Sequence, residues 1–326
     1  MTAVAAGPDG QAAASSSPRP RKLAVGLFVD SRLQPAWVAE AFARVAAAGF
    51  AEIALVVEMG SAPPAEPLAW RLYNRFDRWA FGRGEDPGVR VDLPAKVPHR
   101  SFLPYSADPA KLDPALDLDV AFAIGEVDDT ALDGLARYGV WRFWFGELTG
   151  HGQGEAMAGF AEVAGNQPLC SSGLKVRTVP RGVERHAYQS WSRTYPFSPA
   201  RNREQLLHKT AAFAERALRE LHRSGAGWLD QCKPLHQGRP PFSEPGQRGA
   251  SLIAGVSRIG ARLAARGVEK ALNVEQWFLA YRFSDRAREA RLGDGRAIPP
   301  DLAGFTRLMP PKDRYWADPF PIERNG

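Results

Sequence analysis

The sequence predicts an α/β fold, an open and mostly parallel sheet covered by helices, and two observations carry the prediction. LAVGLFV (23–29) and AEIALVV (51–57) are continuous apolar runs of buried-strand type. Between them PAWVAEAFARVAAAGF (35–50) places Trp37, Val38, Ala41, Phe42 and Val45 on one helical face. That order is a βαβ unit, and such units build parallel sheets with helices over both faces. The second observation is that the alternation resumes. LDLDVAFAIGEV (116–127) reads as a third strand, Asp128 caps a helix over DDTALDGLARYG, and Gly139 opens GVWRFWFGELTGHG (139–152), whose first half reads as a strand and whose second half as a glycine-rich loop.

The remaining stretches follow in order. Residues 1–21 are rich in Ala, Ser, Gly and Pro and read as a disordered tail. The segment 60–115 is irregular and proline-rich, with one aromatic helical piece at LAWRLYNRFDRWAFG (68–82). SSGLKVRTV and VERHAYQSWSRT are extended segments flanking Pro180, Arg181 and Gly182, a hairpin pattern. One long amphipathic helix is expected next, with Leu207, Ala211, Ala214, Leu218 and Leu221 in a stripe, closing an α/β domain over 22–223. Residues 224–250 read as a flexible Gly/Pro/Gln-rich linker. Over 251–326, SLIAGVSRIGARLAARGVEKAL forms a helix and EQWFLAYRF (275–283) a strand. The chain ends on FTRLMPPKDRYWADPFPIERNG, whose YWADPF has strand character and whose Asn-Gly is a hairpin-turn signal. The expectation is therefore a further β-domain, truncated after its first strands.

Composition bounds the function. With 44% hydrophobic and 24% charged residues the chain reads as an ordinary globular protein, and its 326 residues suffice for one large or two ordinary domains. The net charge of +6 comes largely from scattered arginines without a concentrated basic stripe, which argues against a nucleic-acid partner. Cys170 and Cys232 lie far apart and outside C-x-x-C spacing, against a disulfide scaffold or a cysteine zinc site and in favour of a reducing compartment. No apolar run approaches the ~20 residues of a membrane helix, and the N-terminus lacks a signal-peptide centre, so a cytoplasmic location is expected.

The standard motifs are absent. DSRLQP follows the first strand where a dinucleotide site would need G-x-G-x-x-G, and there is no P-loop, H-E-x-x-H or G-x-S-x-G. Candidate chemistry falls on 139–154. Glu147, His151 and the glycines of GHGQG lie past a strand end, where open α/β sheets bind ligands, and a carboxylate beside an imidazole supports general acid–base catalysis. The competing reading is that Trp141, Phe143 and Phe145 fill one face while the glycines only turn the chain. Arg142 and Trp144 point to the opposite face and are candidate substrate-binding residues. Asp119, on the neighbouring strand, is one possible partner of Arg142 and a third substrate-binding candidate. His186 reads as a surface histidine, and His99, His208, His222 and His236 show no ligand spacing, so no metal site is expected.

LDVAFAIG, the short segment ending ARYGV, WRFWFGELTGHG, the GLKVRTVPRG hairpin and the helix starting near Asn202 together resemble the N-terminal domain of formyltransferases, the methionyl-tRNA and glycinamide ribonucleotide type, over about residues 23–221. The resemblance implies a Rossmann-like sheet of formyltransferase type and 10-formyltetrahydrofolate as donor. Gly139 and Val140 match the family's strand. Its catalytic asparagine and histidine fall on Arg142 and Trp144, its loop becomes Gly146, Glu147, Leu148 and Thr149, and its aspartate falls near Pro180. None of the three catalytic residues is preserved, so the resemblance implies the fold without the family's catalytic set.

EQWFLAYRF followed by F-x-x-L-x-P-P-K-x-x-Y-W-A-D-P-F is similar to the opening of the propeller-type domain at the N-terminus of glucosamine inositolphosphorylceramide transferases. The likeness implies a carbohydrate substrate and aligns Asp318 with a catalytic aspartate of related five-bladed propellers. The combined expectation is a diverged formyltransferase-like domain, transferase-related or substrate-binding, in glycan or sugar-nucleotide metabolism. Two alternatives stand beside it: an active formyl or acyl transferase on an amino sugar using Glu147 and His151, and a non-catalytic scaffold whose aromatic strand end binds a partner.

Overall fold

The strand β1 (Leu23–Val29) is buried along its whole length and forms the axis of the sheet. The computed structural model describes residues 21–61, 66–104, 117–146, 155–178, 183–234, 252–272, 278–281, 306–311 and 316. Parallel to β1 lie β3 (Ala51–Glu58) on one side and β6 (Val120–Ile124) on the other. β5 (Ser101–Leu103) extends the sheet beyond β3, and β7 (Val140–Phe145) extends it beyond β6, both parallel. Three antiparallel strands complete it: β8 (Leu169–Thr178), β9 (Val183–Arg193) and β10 (Lys233–Pro234). The order is β5-β3-β1-β6-β7-β8-β9-β10. A separate pair, β2 (Leu33–Pro35) with β4 (Arg90–Asp92), flanks it.

Strand alternation sorts the side chains. Leu23, Val25, Leu27 and Val29 of β1, Val120, Phe122 and Ile124 of β6, and Trp141 and Phe145 of β7 face one core. Helices α1 (Ala36–Ala47), α5 (Pro199–Thr210) and α6 (Phe213–Ser224) cover that face through Phe42, Leu206, Leu207, Phe213 and Leu218. The buried face of α1 is the one that its periodicity predicts. Aromatic contacts lock the centre: Phe122 meets Phe42 at 4.9 Å and Trp141 at 5.6 Å edge-on, and stacks on Phe143 at 5.9 Å between ring centroids. Ala24, Phe28, Ala121, Ala123 and Val140 face the other way, against Leu118, Val127 and Leu132.

Three expectations are corrected. The helix over 128–139 is a single 3-10 turn, Asp129–Leu132, capped by Asp128 as read, because Gly134 takes φ +83 and leaves helical space. This turn, rather than a helix, covers the second sheet face among the described residues. The long helix after 199 is two helices. Thr210 Oγ1 donates to Leu206 O at 2.7 Å, a back-bond that bends helices, and meets Ser172 Oγ at 2.9 Å. Finally, residues read as the start of a linker form α7 (Ala226–Gln231) and β10, because Leu229 and Cys232 are buried and Lys233 and Pro234 pair with the edge of β9.

The chain divides into two units, Met1–Gly260 and Ala261–Gly326. In the first, the opening turns of α8 (Leu252–Leu272) bring Ile259 into a small core with Trp70, Phe160 and Val163. Trp70 belongs to α2 (Leu68–Phe81) and Phe160 to α4 (Phe160–Ala164). In the second, β11 (Leu279–Tyr281) pairs antiparallel with β12 (Thr306–Leu308). Most of the segment read as a propeller opening, with Asp318, lies outside the described residues.

Phe122 is fully buried at the junction of α1, β6 and β7. Phe122→Ala is expected to lower unfolding free energy by about 3–5 kcal/mol in urea titration, with the slope unchanged.

Candidate functional site

Chain direction across the sheet reverses beside β1. From β1 the chain passes through α1 to β3 on one side and later returns as β6 on the other. In open α/β sheets the crevice beyond the carboxyl ends of such a strand pair is the ligand position.

Asp30, the first residue after β1, occupies this crevice and is buried. Its Oδ1 accepts from Gln34 Nε2 at 2.6 Å and its Oδ2 from the Glu126 N–H at 3.2 Å, so the buried carboxylate is hydrogen-bonded from both sides. Gly125, at φ +73, brings the β6 end this close, and a Cβ there would overlap the Asp30 carboxylate. Gln34 itself is buried in β2 and also donates to Ser31 O at 2.8 Å.

Glu155, in the turn Glu155–Met157, lies within electrostatic reach of Asp30. Burial drives its carboxyl up from 4.5 to about 7, and the Asp30 charge adds to the rise. The Trp37 indole N–H and the charges of Arg90 and Arg203 oppose it. Arg203 is fixed in turn: its Nη2 meets Asp86 Oδ1 at 3.0 Å and its Nη1 donates to Ala156 O at 3.4 Å. The arrangement joins a carboxyl that exchanges its proton near neutral pH, a buried carboxylate and two guanidinium groups. Such a set can move a proton on a bound ligand and hold a ligand anion.

The sequence-predicted residues distribute differently. Glu147 and His151 lie outside the described residues, as does Asp318. Arg142 and Trp144 do point away from Trp141, Phe143 and Phe145, but neither forms the expected site. Arg142 donates to Val127 O and, at 3.3 Å, to Gly125 O. It does not pair with Asp119, because Asp119 sits before β6, at the opposite end of that strand. There Asp119 takes a two-pronged bond from Arg21 at 2.9 and 3.1 Å and the Ala24 N–H at 2.8 Å. Trp144 is buried, its ring 5.6 Å from that of His186, over Gly173, where a Cβ would strike it. His186 is thus not a surface residue: β10 pairs with β9 at this position and Trp144 packs on its ring.

Asp30, Gln34 and Glu155 escape motif reading. The available signal was DSRLQP itself, a polar break immediately after a fully apolar strand. Among the described residues no group of His, Cys, Asp and Glu could hold a metal ion, and no helix is long and apolar enough to cross a membrane.

No protein-family model matches the chain, and no curated protein matches it. Solved structures that resemble it include glycinamide ribonucleotide transformylase 1 from Symbiobacterium toebii, at 14% identity and TM-score 0.36, over 62% of this chain and 88% of that one. A formyltetrahydrofolate deformylase from Pseudomonas putida KT2440 aligns at 14% identity and TM-score 0.34, over 62% of this chain and 66% of its own. A phosphoribosylglycinamide formyltransferase from Anaplasma phagocytophilum aligns at 12% identity and TM-score 0.33, over 64% and 85%. At these identities and scores none of them assigns a residue or an activity here.

A folded-state pKa raised from 4.5 to about 7 means that the native protein holds more protons than the unfolded chain between those values. Stability attributable to Glu155 therefore falls as pH rises through that window and stays lost above it. Glu155→Gln is expected to melt progressively higher relative to wild type between about pH 5 and about pH 8, measured by thermal unfolding in matched buffers.

Proposed function

We propose that residues 22–223 are a diverged formyltransferase-like domain that binds a small molecule at the β1/β6 crossing, with Glu155 as its proton-exchanging group. What supports this reading is the Glu155 carboxyl, pushed up to about 7 by burial, within electrostatic reach of the buried Asp30 at the sheet's switch point. Asp30 and Gln34 form the fixed floor, while Arg90 and Arg203 supply positive charge for an anionic or electron-rich ligand.

The residues do not fit formyl transfer from 10-formyltetrahydrofolate by the family's route. That route needs an asparagine and a histidine to stabilise the tetrahedral oxyanion. The corresponding Arg142 is bonded to backbone carbonyls, and Trp144 is buried against His186. Burial of Trp144 also removes the exposed aromatic surface that a partner-binding scaffold would use at this strand end. A role in glycan or sugar-nucleotide metabolism is part of the proposal and rests on the resemblance of residues 275–320 to a propeller opening. A reducing, cytoplasmic setting accords with the two thiols. Both are buried and free, and burial pushes Cys170 up to about 12 and Cys232 up to about 11, which leaves them unreactive.

The test pairs two assays on the full chain. Incubation with 10-formyltetrahydrofolate and a hexosamine phosphate is expected to give no formylated amine, and turnover would overturn the diverged reading. Sugar nucleotides and hexosamine phosphates titrated by calorimetry near neutral pH are expected to include a saturable ligand. Its affinity drops at least about tenfold in Glu155→Gln and in Asp30→Asn. Unchanged binding in both variants would remove the site from the β1/β6 crossing.

A further inference from the structure

Helix α2 is built the wrong way round for a helix that only packs against its own domain. Its buried residues are Trp70 and Asp77. Asp77 accepts from Ser198 Oγ at 2.9 Å and from the Ala200 N–H at 2.7 Å, tying α2 to the start of α5. Trp70 packs on Phe160 at 5.2 Å. The opposite side carries Leu68, Leu72, Phe76 and Trp79, which are 66%, 62%, 57% and 82% exposed. Spaced by four, four and three residues, these four lie within about 80° of one another on the helix, facing away from Trp70 and Asp77.

Arginines run along one flank of this apolar stripe. Arg71 and Arg75 adjoin it, and neither makes an ion pair among the described residues. Arg78, one turn on, is held by Asp86 at 2.8 Å and Glu204 at 3.3 Å. An open groove of about 430 Å³ follows that flank, lined by Glu66, Arg71, Asn74, Arg75, Trp79 and Asp86, with Arg78 at its side. The only acidic residue within α2 is Asp77, and it is buried.

We propose that α2 is a membrane-surface helix that lays Leu68, Leu72, Phe76 and Trp79 into the headgroup–acyl boundary of an anionic bilayer while Arg71 and Arg75 bind its phosphates. A helix with apolar and aromatic residues on one face and arginines beside them has the composition of an interfacial helix. The arginine stems lie along the apolar stripe and carry their charges to headgroup level. Charge also decides between occupants. Pairing α2 with a second copy of itself would set arginines near arginines with no exposed acid on the helix to neutralise them, whereas anionic lipid supplies the opposite charge. The anchoring through Asp77 and Trp70 holds the helix on the domain, so docking requires no unfolding. This surface is independent of the β1/β6 crossing.

Flotation of the full-length protein with phosphatidylcholine vesicles, and with vesicles containing phosphatidylglycerol, tests the proposal. The protein is expected to float with the anionic vesicles only. Neutralisation in Arg71→Ala/Arg75→Ala is expected to weaken binding about 25-fold, about fivefold for each arginine, charge reversal in Arg71→Glu/Arg75→Glu by more than that, and Phe76→Ser/Trp79→Ser about 100-fold or more. All four side chains are exposed, and unchanged circular dichroism and melting confirm folding. If either pair perturbs the fold, Arg71→Ala/Arg75→Ala and Trp79→Ala replace it. The proposal fails if wild type does not float with anionic vesicles, or if it floats equally well with both pairs substituted. It also fails if sedimentation shows a dimer that Phe76→Ser/Trp79→Ser dissociates, which would make a second copy the occupant.

Discussion

The carboxylate of Asp30 governs the functional end of this protein. Coming directly after a strand with no exposed residue, it is buried and must find donors, and it finds the Gln34 amide and the Glu126 N–H. Each donor fixes something larger. The Glu126 bond holds the end of β6 against the end of β1, which is why position 125 must be glycine. The Gln34 bond holds β2, which pairs with β4, and β4 carries Arg90 to within electrostatic reach of Glu155. One buried charge thus organises the crevice, its rim and the neighbouring titrating group.

A second polar knot lies where α2, α5 and the segment before β4 meet. Asp77 caps α5, Asn202 bonds Tyr195 through both backbone groups, and Arg203 joins Asp86 to the carbonyl of Ala156. Arg203 links this knot to Glu155, so the environment of the titrating carboxyl depends on the packing of α5 as well as on the sheet. The same knot lets α2 present apolar side chains outward, because its attachment is made largely by the Asp77 hydrogen bonds, the Arg78 ion pairs and the Trp70–Tyr73 pair. An apolar stripe exposed on a helix so attached is a surface for something else.

The aromatic strand β7 illustrates how a sequence feature is absorbed by structure. Its inward residues are core, as alternation requires, and its outward pair looked chemically rich. In the fold Arg142 closes the carbonyls after β6, and Trp144 fills the space that Gly173 leaves in β8. Both are structural uses of residue types that also serve in binding sites. Only the location of their partners, far away in sequence, distinguishes the two.

By itself the sequence determined the parallel core. The apolar runs of β1, β3 and β6, the stripe of α1 and the β8–β9 hairpin are local patterns, and burial enforces them wherever the chain places them. The Asp128 cap and the inward set Trp141, Phe143 and Phe145 were legible for the same reason. The tertiary structure alone decided what the polar residues do. Asp119 was assigned to Arg142 by strand adjacency, but adjacency does not tell which end of β6 each occupies, and Arg21 claims it instead. His186 is buried by β10, a strand 47 residues further along the chain. Glu155 acquires its near-neutral pKa from burial, which Asp30 reinforces and Trp37, Arg90 and Arg203, from separate elements, partly offset. Apolar patterning repeats locally and so is visible in one sequence. Electrostatic and hydrogen-bond partnerships join residues at arbitrary separations and exist only once the chain has folded.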